Sequence, residues 1–201
     1  MFLNKITQNY FLILFSLVPV SIVIGSSVSL LNILLIDISF VLFIFLKHKD
    51  YSFLKKDPVK YLIILYCYLI FNSWISIDMS SGIYRNLGFV RIIIFFIAIN
   101  FFFTQKNFFN KVFKFWLLFF LVITFDVFIE YFTGTNLMGF PEVKTNSRRI
   151  VSFFKDEPIV GGFMNGFYLI LIGYLLNEYY FKQKKIIFLL ATILFIAIFL
   201  T

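Results

Sequence analysis

Four arginines are the side chains of this sequence best suited to hold an anion: Arg85, Arg91, Arg148 and Arg149. A guanidinium group is planar and always charged, so it can bind two phosphate or carboxylate oxygens at once. Preorganised cations of this kind also stabilise negative charge that develops during a reaction. The arginines therefore predict a site for an anionic ligand. For Arg85 and Arg91, anchoring of lipid head groups is an equal alternative.

The acidic residues suggest more than one role. Asp126 and Glu130 are four residues apart and so share one face of a helix. They can orient Arg91 or Arg149, bind hydroxyl groups of a ligand, or join helices through a salt bridge. Asp156 and Glu157 precede Pro158, which predicts the first turn of a helix.

One further acid, Asp37, lies in the middle of an apolar run. A charge there costs about 2.5–3.5 kcal/mol on insertion scales. It is either a functional group or a neutral acid bonded to a neighbouring helix.

The sequence predicts no metal ion and no cofactor. The single cysteine, Cys67, lies in an apolar run without a histidine or cysteine beside it, which indicates a small apolar filler. The single histidine, His48, lies between two lysines in a short polar segment.

Membrane-spanning helices must position these residues. Of the 201 residues 61% are apolar and 14% charged, and 32 are phenylalanine. Average soluble domains are roughly half apolar and a quarter charged. The apolar runs are continuous rather than alternating, which favours helices over a barrel. Pro19 predicts a kink in the first run, and the Gly162–Gly166 spacing predicts close helix packing.

The fold predicted is all-α, a polytopic transmembrane helical bundle forming a single domain over residues 1–201. It has about seven spans, because a span needs about 20 residues. The runs cover residues 10–24, 28–46, 61–77, 89–103, 112–132, 159–181 and 186–201. The last run ends without a polar flank, so we expect a longer protein that has been cut, or a reading frame that stops early.

The distribution of basic residues predicts a cytoplasmic N-terminus, because positive charge favours the inner side. Twelve of the 18 basic residues then lie inside, and all twelve are lysines. This topology also accounts for the net charge of +8, so no nucleic-acid partner is predicted. The six outer basic residues include every arginine of the chain: Arg85, Arg91, Lys144, Arg148, Arg149 and Lys155.

The longest polar stretch, residues 133–158, is predicted on the outer side. Loops of this length are often functional, and Gly134 and Gly139 predict tight turns within it. It contains two runs, FIEYFTGTNLMGF and RRIVSFFKDEPIVGGF. The second places six residues in a pattern: Arg149, Ser152, Phe154, Asp156, Glu157 and Gly161.

These runs resemble the central segment of the O-antigen ligase and O-antigen polymerase superfamily. Members typically show Tyr-Phe-x-Gly-x-Asn/Asp-x-x-Gly, followed by Arg-x-x-Ser/Gly-x-Phe-x-Asp-Glu-x-x-x-Gly. The segment SWISIDMSSGIYRNLGFVRIIIFF also resembles the turn between the family's third and fourth spans. The resemblance covers about residues 60–175 and identifies the chain as similar to the N-terminal half of such a protein.

The resemblance implies a metal-independent glycosyltransferase with a GT-C-like helical fold in the bacterial inner (cytoplasmic) membrane. The donor would be an undecaprenyl-diphosphate-linked oligosaccharide. The acceptor would be a glycan or the lipid A core, on the periplasmic side. Arg149 and Arg91 are the expected catalytic residues. The expected substrate-binding residues are Arg148, Arg85, Asp126, Glu130, Asp156 and Glu157.

Membrane lipids and a chain-length regulator are the further partners this resemblance implies. The family is also expected to use a histidine in its second half, for which this sequence has no equivalent. Two other interpretations remain: a lipid-linked sugar flippase or other non-catalytic transporter, and an inactive truncated fragment.

Overall fold

The structure is a computed structural model that describes residues 5–47, 56–139, 143–144, 148–154 and 159–201. Helices dominate the described residues, as the sequence predicts. Eight are present in that part of the chain: α1 (Lys5–Ser16), α2 (Val18–Ile24), α3 (Ser26–Lys47), α4 (Asp57–Trp74), α5 (Met79–Gly88), α6 (Val90–Phe102), α7 (Lys106–Thr133) and α8 (Val160–Leu200).

The segment between α7 and α8 contains the remaining regular structure of the described residues. Strands β1 (Val143–Lys144) and β2 (Arg148–Arg149) pair antiparallel, with Lys144 opposite Arg148. A 3₁₀ turn, Ser152–Phe154, follows β2. This segment is called the α7–α8 loop below.

Six helices of the described chain are long and apolar enough to cross a membrane, which indicates a multi-pass membrane protein. They are Lys5–Ile24, Ser26–Leu46, Met79–Phe102, Lys106–Thr133, Val160–Tyr179 and Gln183–Leu200. The first of these combines α1 and α2, which are separated at Leu17, just before Pro19. The 18-residue helix α4 is outside this set. The seventh span and the orientation of the N-terminus stay predictions.

The chain groups into two compact units. The first contains residues Met1–Val18 and Ser29–Phe109, and the second contains Pro19–Val28 and Asn110–Thr201. Phenylalanine rings fill the core of the first unit. Phe102 is fully buried there, with ring centroids 4.3 Å from Phe11 and 5.2 Å from Phe108. Close aromatic pairs of this kind add to the free energy gained from burying their area.

Helices α4 and α5 pack closely in the first unit. The side-chain amide of Asn86 donates to the Leu69 carbonyl over 3.0 Å and to the Ser73 hydroxyl. A Cβ atom at Gly82 would lie only 3.3 Å from the Ser73 Cβ, so glycine permits this approach. The contact fixes the helix that carries Arg85.

In the second unit, α7 buries a stripe of apolar residues at helical spacing, including Phe120, Ile123 and Val127. Trp116 on α7 meets Phe167 on α8 with ring centroids 5.7 Å apart. Phe113 meets Tyr174 at 5.0 Å. These contacts pack the first half of α7 antiparallel against the first half of α8.

Helix α8 is two arms rather than one rod. Gln183 has non-helical backbone angles (φ −142°, ψ 40°), and the arms are Val160–Tyr179 and Gln183–Leu200. A Cβ atom at Gly161 would lie 2.8 Å from Thr201 Oγ1, so the two ends of the 41-residue element meet. A straight helix of that length would separate them by roughly 60 Å. The arms therefore fold back along each other.

The prediction of close helix packing at Gly162 and Gly166 is wrong for the described residues. A Cβ atom at either position, or at Gly173, would meet nothing within 4 Å. The close approach occurs one residue earlier, at Gly161, because the fold-back of α8 brings Thr201 against that residue.

Candidate functional site

The carboxylates of Asp126 and Glu130 are buried at the end of α7. Both residues have 0% of their surface exposed. They lie one turn apart on the same helix face, as their spacing predicts. A buried carboxylate needs hydrogen bonds to offset its lost hydration. The α7–α8 loop supplies them.

Glu130 accepts two consecutive backbone amides of the loop. The Val151 N–H donates to Oε1 over 2.9 Å, and the Ser152 N–H donates to Oε2 over 2.6 Å. Hydrogen bonds to an ionised acceptor are roughly twice as strong as neutral ones. Glu130 thus fixes the backbone at Val151 and Ser152 to the end of α7.

Asp126 makes a parallel pair of contacts. The Leu137 N–H donates to Oδ1 over 2.7 Å, and the Ser152 hydroxyl donates to Oδ2 over 2.5 Å. The first contact holds the beginning of the loop and the second holds its later part. One carboxylate therefore joins both ends of the loop.

Asn136 completes this arrangement from within the loop. It is buried, and its side-chain amide donates to the Ser152 carbonyl. Its side-chain oxygen accepts the Met138 N–H over 3.0 Å, which forms an Asx turn. Asp126, Glu130, Asn136 and Ser152 are called the loop anchor below.

Two glycines shape the loop near the anchor. Gly134 has φ +79° and donates its N–H to the Glu130 carbonyl over 2.8 Å, which caps the end of α7. Gly139 has φ +81° and donates to the Asn136 carbonyl over 2.9 Å. The predicted turns at both glycines are confirmed.

Ser152 has an unusual backbone conformation. Its φ is +47°, the left-handed region, and it is the sole non-glycine residue there among those described. This conformation costs an L-residue roughly 1–2 kcal/mol. The N–H, the carbonyl and the hydroxyl of Ser152 all bond within the anchor, and these contacts hold the strained conformation in place.

Arg148 and Arg149 form β2, directly before this anchor. Ile150 and Val151, which connect β2 to Ser152, are 2% and 0% exposed. The backbone of the two arginines is therefore held from both sides, by β1 pairing and by the buried anchor. Asp156 and Glu157 lie outside the described residues, as does His48.

The other two arginines belong to the first unit. Arg85 lies in the last turn of α5, where a cation is favoured by the helix dipole. Arg91 lies in the first turn of α6. Both side chains are exposed. Neither forms an ion pair with a described residue, since the ion pair found among the described residues joins Lys60 and Asp57.

Asp37 is the other buried acid of the first unit. It is 4% exposed, and neither carboxylate oxygen has a hydrogen-bond partner among the described residues. This is the opposite of the loop anchor, where the carboxylate oxygens are bonded.

An apolar groove of about 340 Å³ adjoins the loop anchor in the second unit. Its walls include Val23 of α2, Phe119 of α7, and Met138 and Phe153 of the loop. Met138 and Phe153 each neighbour a residue that bonds to Asp126. The groove can accept an apolar chain beside the polar anchor.

The structure brings Asp126 and Glu130 together with the loop that carries Arg148 and Arg149. Sequence reasoning missed that Ser152 bonds to both carboxylates and that Asn136 bonds to Ser152, although both residues stand in the two runs that resemble the family. No group of three or more metal-binding side chains occurs among the described residues. No protein-family model matches this chain, and no curated protein or solved structure is significantly similar to it.

Proposed function

We propose that this chain is a membrane glycosyltransferase of surface polysaccharide synthesis. It moves a glycan from a polyprenyl-diphosphate donor to a sugar acceptor on the periplasmic side, as an O-antigen polymerase or ligase does. The observation that carries the proposal is the loop anchor. It joins the two runs that resemble the family, through Asn136 in the first run and Ser152 in the second.

The anchor also gives a physical reason for the resembling pattern. The family pattern has Ser or Gly at the position of Ser152, and the residue here has φ +47°. Glycine adopts that conformation without steric cost, and serine is held there by its bonds to Asp126 and Glu130. The occurrence of either serine or glycine at this position fits a left-handed backbone conformation.

The proposed chemistry needs cations near the leaving group. A lipid diphosphate gains negative charge as the glycosidic bond breaks, and arginines can stabilise that charge without a metal ion. One charge pair at ~4 Å and an effective dielectric of ~20 gives about 4 kcal/mol. If half of this were specific to the transition state, the rate would rise by roughly 1.5 decades.

In this proposal Arg149 and Arg91 are the catalytic residues that act on the diphosphate, and Arg148 and Arg85 bind the donor. Asp126 and Glu130 act as positioning residues, because their carboxylate oxygens hold the loop backbone that follows Arg149. Asp156 and Glu157 would bind substrate hydroxyls. The polyprenyl chain of the donor suits the apolar groove beside Met138 and Phe153.

The test is Arg149→Ala in the chromosomal gene of the source bacterium. We expect loss of polymerised or ligated surface glycan and accumulation of the lipid-linked oligosaccharide on the outer face of the membrane. Lys144→Ala is the matched control, because Lys144 is a cation of the same two-stranded pair. Normal glycan in Arg149→Ala cells would overturn the proposal.

A second candidate function is transport of a lipid-linked sugar. It is favoured by Asp37, a buried acid in the middle of α3 whose oxygens lack described hydrogen-bond partners. The same experiment separates the two functions. A defective flippase leaves the lipid-linked oligosaccharide on the inner face, whereas a defective transferase leaves it on the outer face.

A further inference from the structure

The fold-back of α8 creates a second groove, distinct from the one beside the loop anchor. It has a volume of about 770 Å³, within the range of roughly 300–1,000 Å³ typical of small-molecule sites. Its walls come from both arms, with Ile172 and Leu176 on the first and Phe188 and Ala191 on the second. These walls are apolar and suit a hydrocarbon chain.

One end of this groove is basic. Lys184 and Lys185 line it, next to the interruption of α8 at Gln183, and both side chains are exposed. Between residues 159 and 201 the sequence holds three lysines and one acid, Glu178. The groove therefore combines an apolar body with a positively charged end.

This combination matches the shape and charge of a phospholipid. Basic pockets between membrane helices bind anionic head groups, particularly at the cytoplasmic surface, where anionic lipids lie. The distribution of lysines predicts that the turn between the two arms faces that surface. An acyl chain in the groove would place its phosphate near the lysines.

We propose that the groove between the arms of α8 binds one anionic phospholipid. Lys184 and Lys185 contact its phosphate, and one acyl chain lies against Ile172, Leu176 and Phe188. This site is independent of the proposed transferase chemistry. It would fix the fold-back of α8 in an anionic membrane.

The experiment is native mass spectrometry of the full chain with equimolar phosphatidylglycerol and phosphatidylcholine. We expect one retained phosphatidylglycerol per chain. The double variant Lys184→Gln/Lys185→Gln should weaken that binding roughly 25-fold, because each lysine near an anionic surface contributes about a factor of five. Lys111→Gln/Lys114→Gln is the control, since it removes the same charge from exposed lysines of α7 outside the groove.

The apolar half of the site is tested with Ala191→Phe, which fills the groove and leaves both lysines in place. We expect loss of the bound phosphatidylglycerol. Thr192→Trp, at a second lining position, gives the same test if Ala191→Phe does not fold. Glycerol phosphate, which has no acyl chains, should not compete.

Equal loss of phosphatidylglycerol in the Lys111/Lys114 control would indicate general charge attraction and overturn the proposal. Unchanged binding in the groove-filling variant would do so as well. Displacement by glycerol phosphate would assign the lysines to free phosphate rather than to a lipid.

Discussion

The Ser152 hydroxyl donates a hydrogen bond of 2.5 Å to Asp126, a residue 26 positions earlier at the end of α7. This contact ties the loop to α7 three residues after Arg149. Glu130 reinforces it by accepting the Ser152 amide over 2.6 Å. The two carboxylates thus determine where the loop backbone lies.

The two carboxylates should respond differently to amidation. Both Glu130 oxygens accept backbone N–H groups. In Glu130→Gln one of these oxygens becomes an NH₂ group, which faces a backbone N–H and cannot bond to it. We expect a loss of about 1–3 kcal/mol. In Asp126→Asn the new amide can donate to the Ser152 hydroxyl while the oxygen keeps the Leu137 N–H, so the loss should be smaller. The apparent melting temperature in detergent measures the stability of each variant. Hydrogen exchange at residues 148–154 measures how well each variant still protects the loop backbone.

Equal stability of Asp126→Asn and Glu130→Gln would contradict the hydrogen-bond pattern of the anchor. Thr124→Val is a suitable control. Thr124 is also buried on α7, but its hydroxyl donates only to the Phe120 carbonyl of its own helix. It should leave exchange in the loop unchanged.

The backbone conformation of Ser152 predicts an order of stabilities. Ser152→Gly and Ser152→Ala both lose the bond to Asp126, but glycine adopts φ +47° without strain. We expect Ser152→Gly to be more stable than Ser152→Ala by about 1 kcal/mol. Ser152→Val should be the least stable, because a branched Cβ is disfavoured there. A thermal unfolding series of these variants that placed alanine above glycine would refute the left-handed conformation.

Arg91 distinguishes phosphate binding from lipid anchoring. A lysine can replace arginine as a point charge at the membrane surface but cannot bind two oxygens with a planar fork. If Arg91 contacts the donor diphosphate, both Arg91→Lys and Arg91→Gln should lower glycan transfer by roughly tenfold or more. Full activity of Arg91→Lys beside an inactive Arg91→Gln would point to head-group anchoring. Transfer is measured as glycan formed per unit of membrane protein.

Asp37 should be a site where stability can be gained. Its buried oxygens lack described hydrogen-bond partners, and such a group costs about 1–3 kcal/mol. We therefore expect Asp37→Leu to raise the apparent melting temperature in detergent. If glycan export falls in Asp37→Leu, then Asp37 serves the function of the protein and lowers its stability. A lower melting temperature would show that Asp37 has a stabilising partner.

The start of α5 should be sensitive to acid. Hydrogen bonds from Ser81, and then from Ser80, lower the pKa of Asp78, which caps this helix. The folded pKa lies below the unfolded value of 3.8, so the contribution of Asp78 is present above that value and is lost as pH falls through the folded pKa. Once the pH dependence of the intrinsic rate is divided out, hydrogen exchange at Ser80 and Ser81 should accelerate at low pH in the wild type. In Asp78→Asn, which caps without titrating, that acceleration should be absent.

The sequence by itself determined the class of this protein. Composition and run length are local properties, and apolar runs of about 20 residues allow little besides membrane helices. The turns at Gly134 and Gly139 were predictable for the same reason, since glycine is the residue suited to a positive φ. The helical spacing of Asp126 and Glu130 likewise placed them on one face.

Only the tertiary structure decided which groups Asp126 and Glu130 bind. The partners of Asp126 and Glu130 are mostly backbone amides 11 to 22 residues away along the chain. Every residue except proline has such an amide, so no residue type marks the partner in the sequence. The fold-back of α8 was hidden for a similar reason. The groove between its arms exists because one residue, Gln183, leaves the helical conformation, and that choice depends on the contacts of the arms on either side.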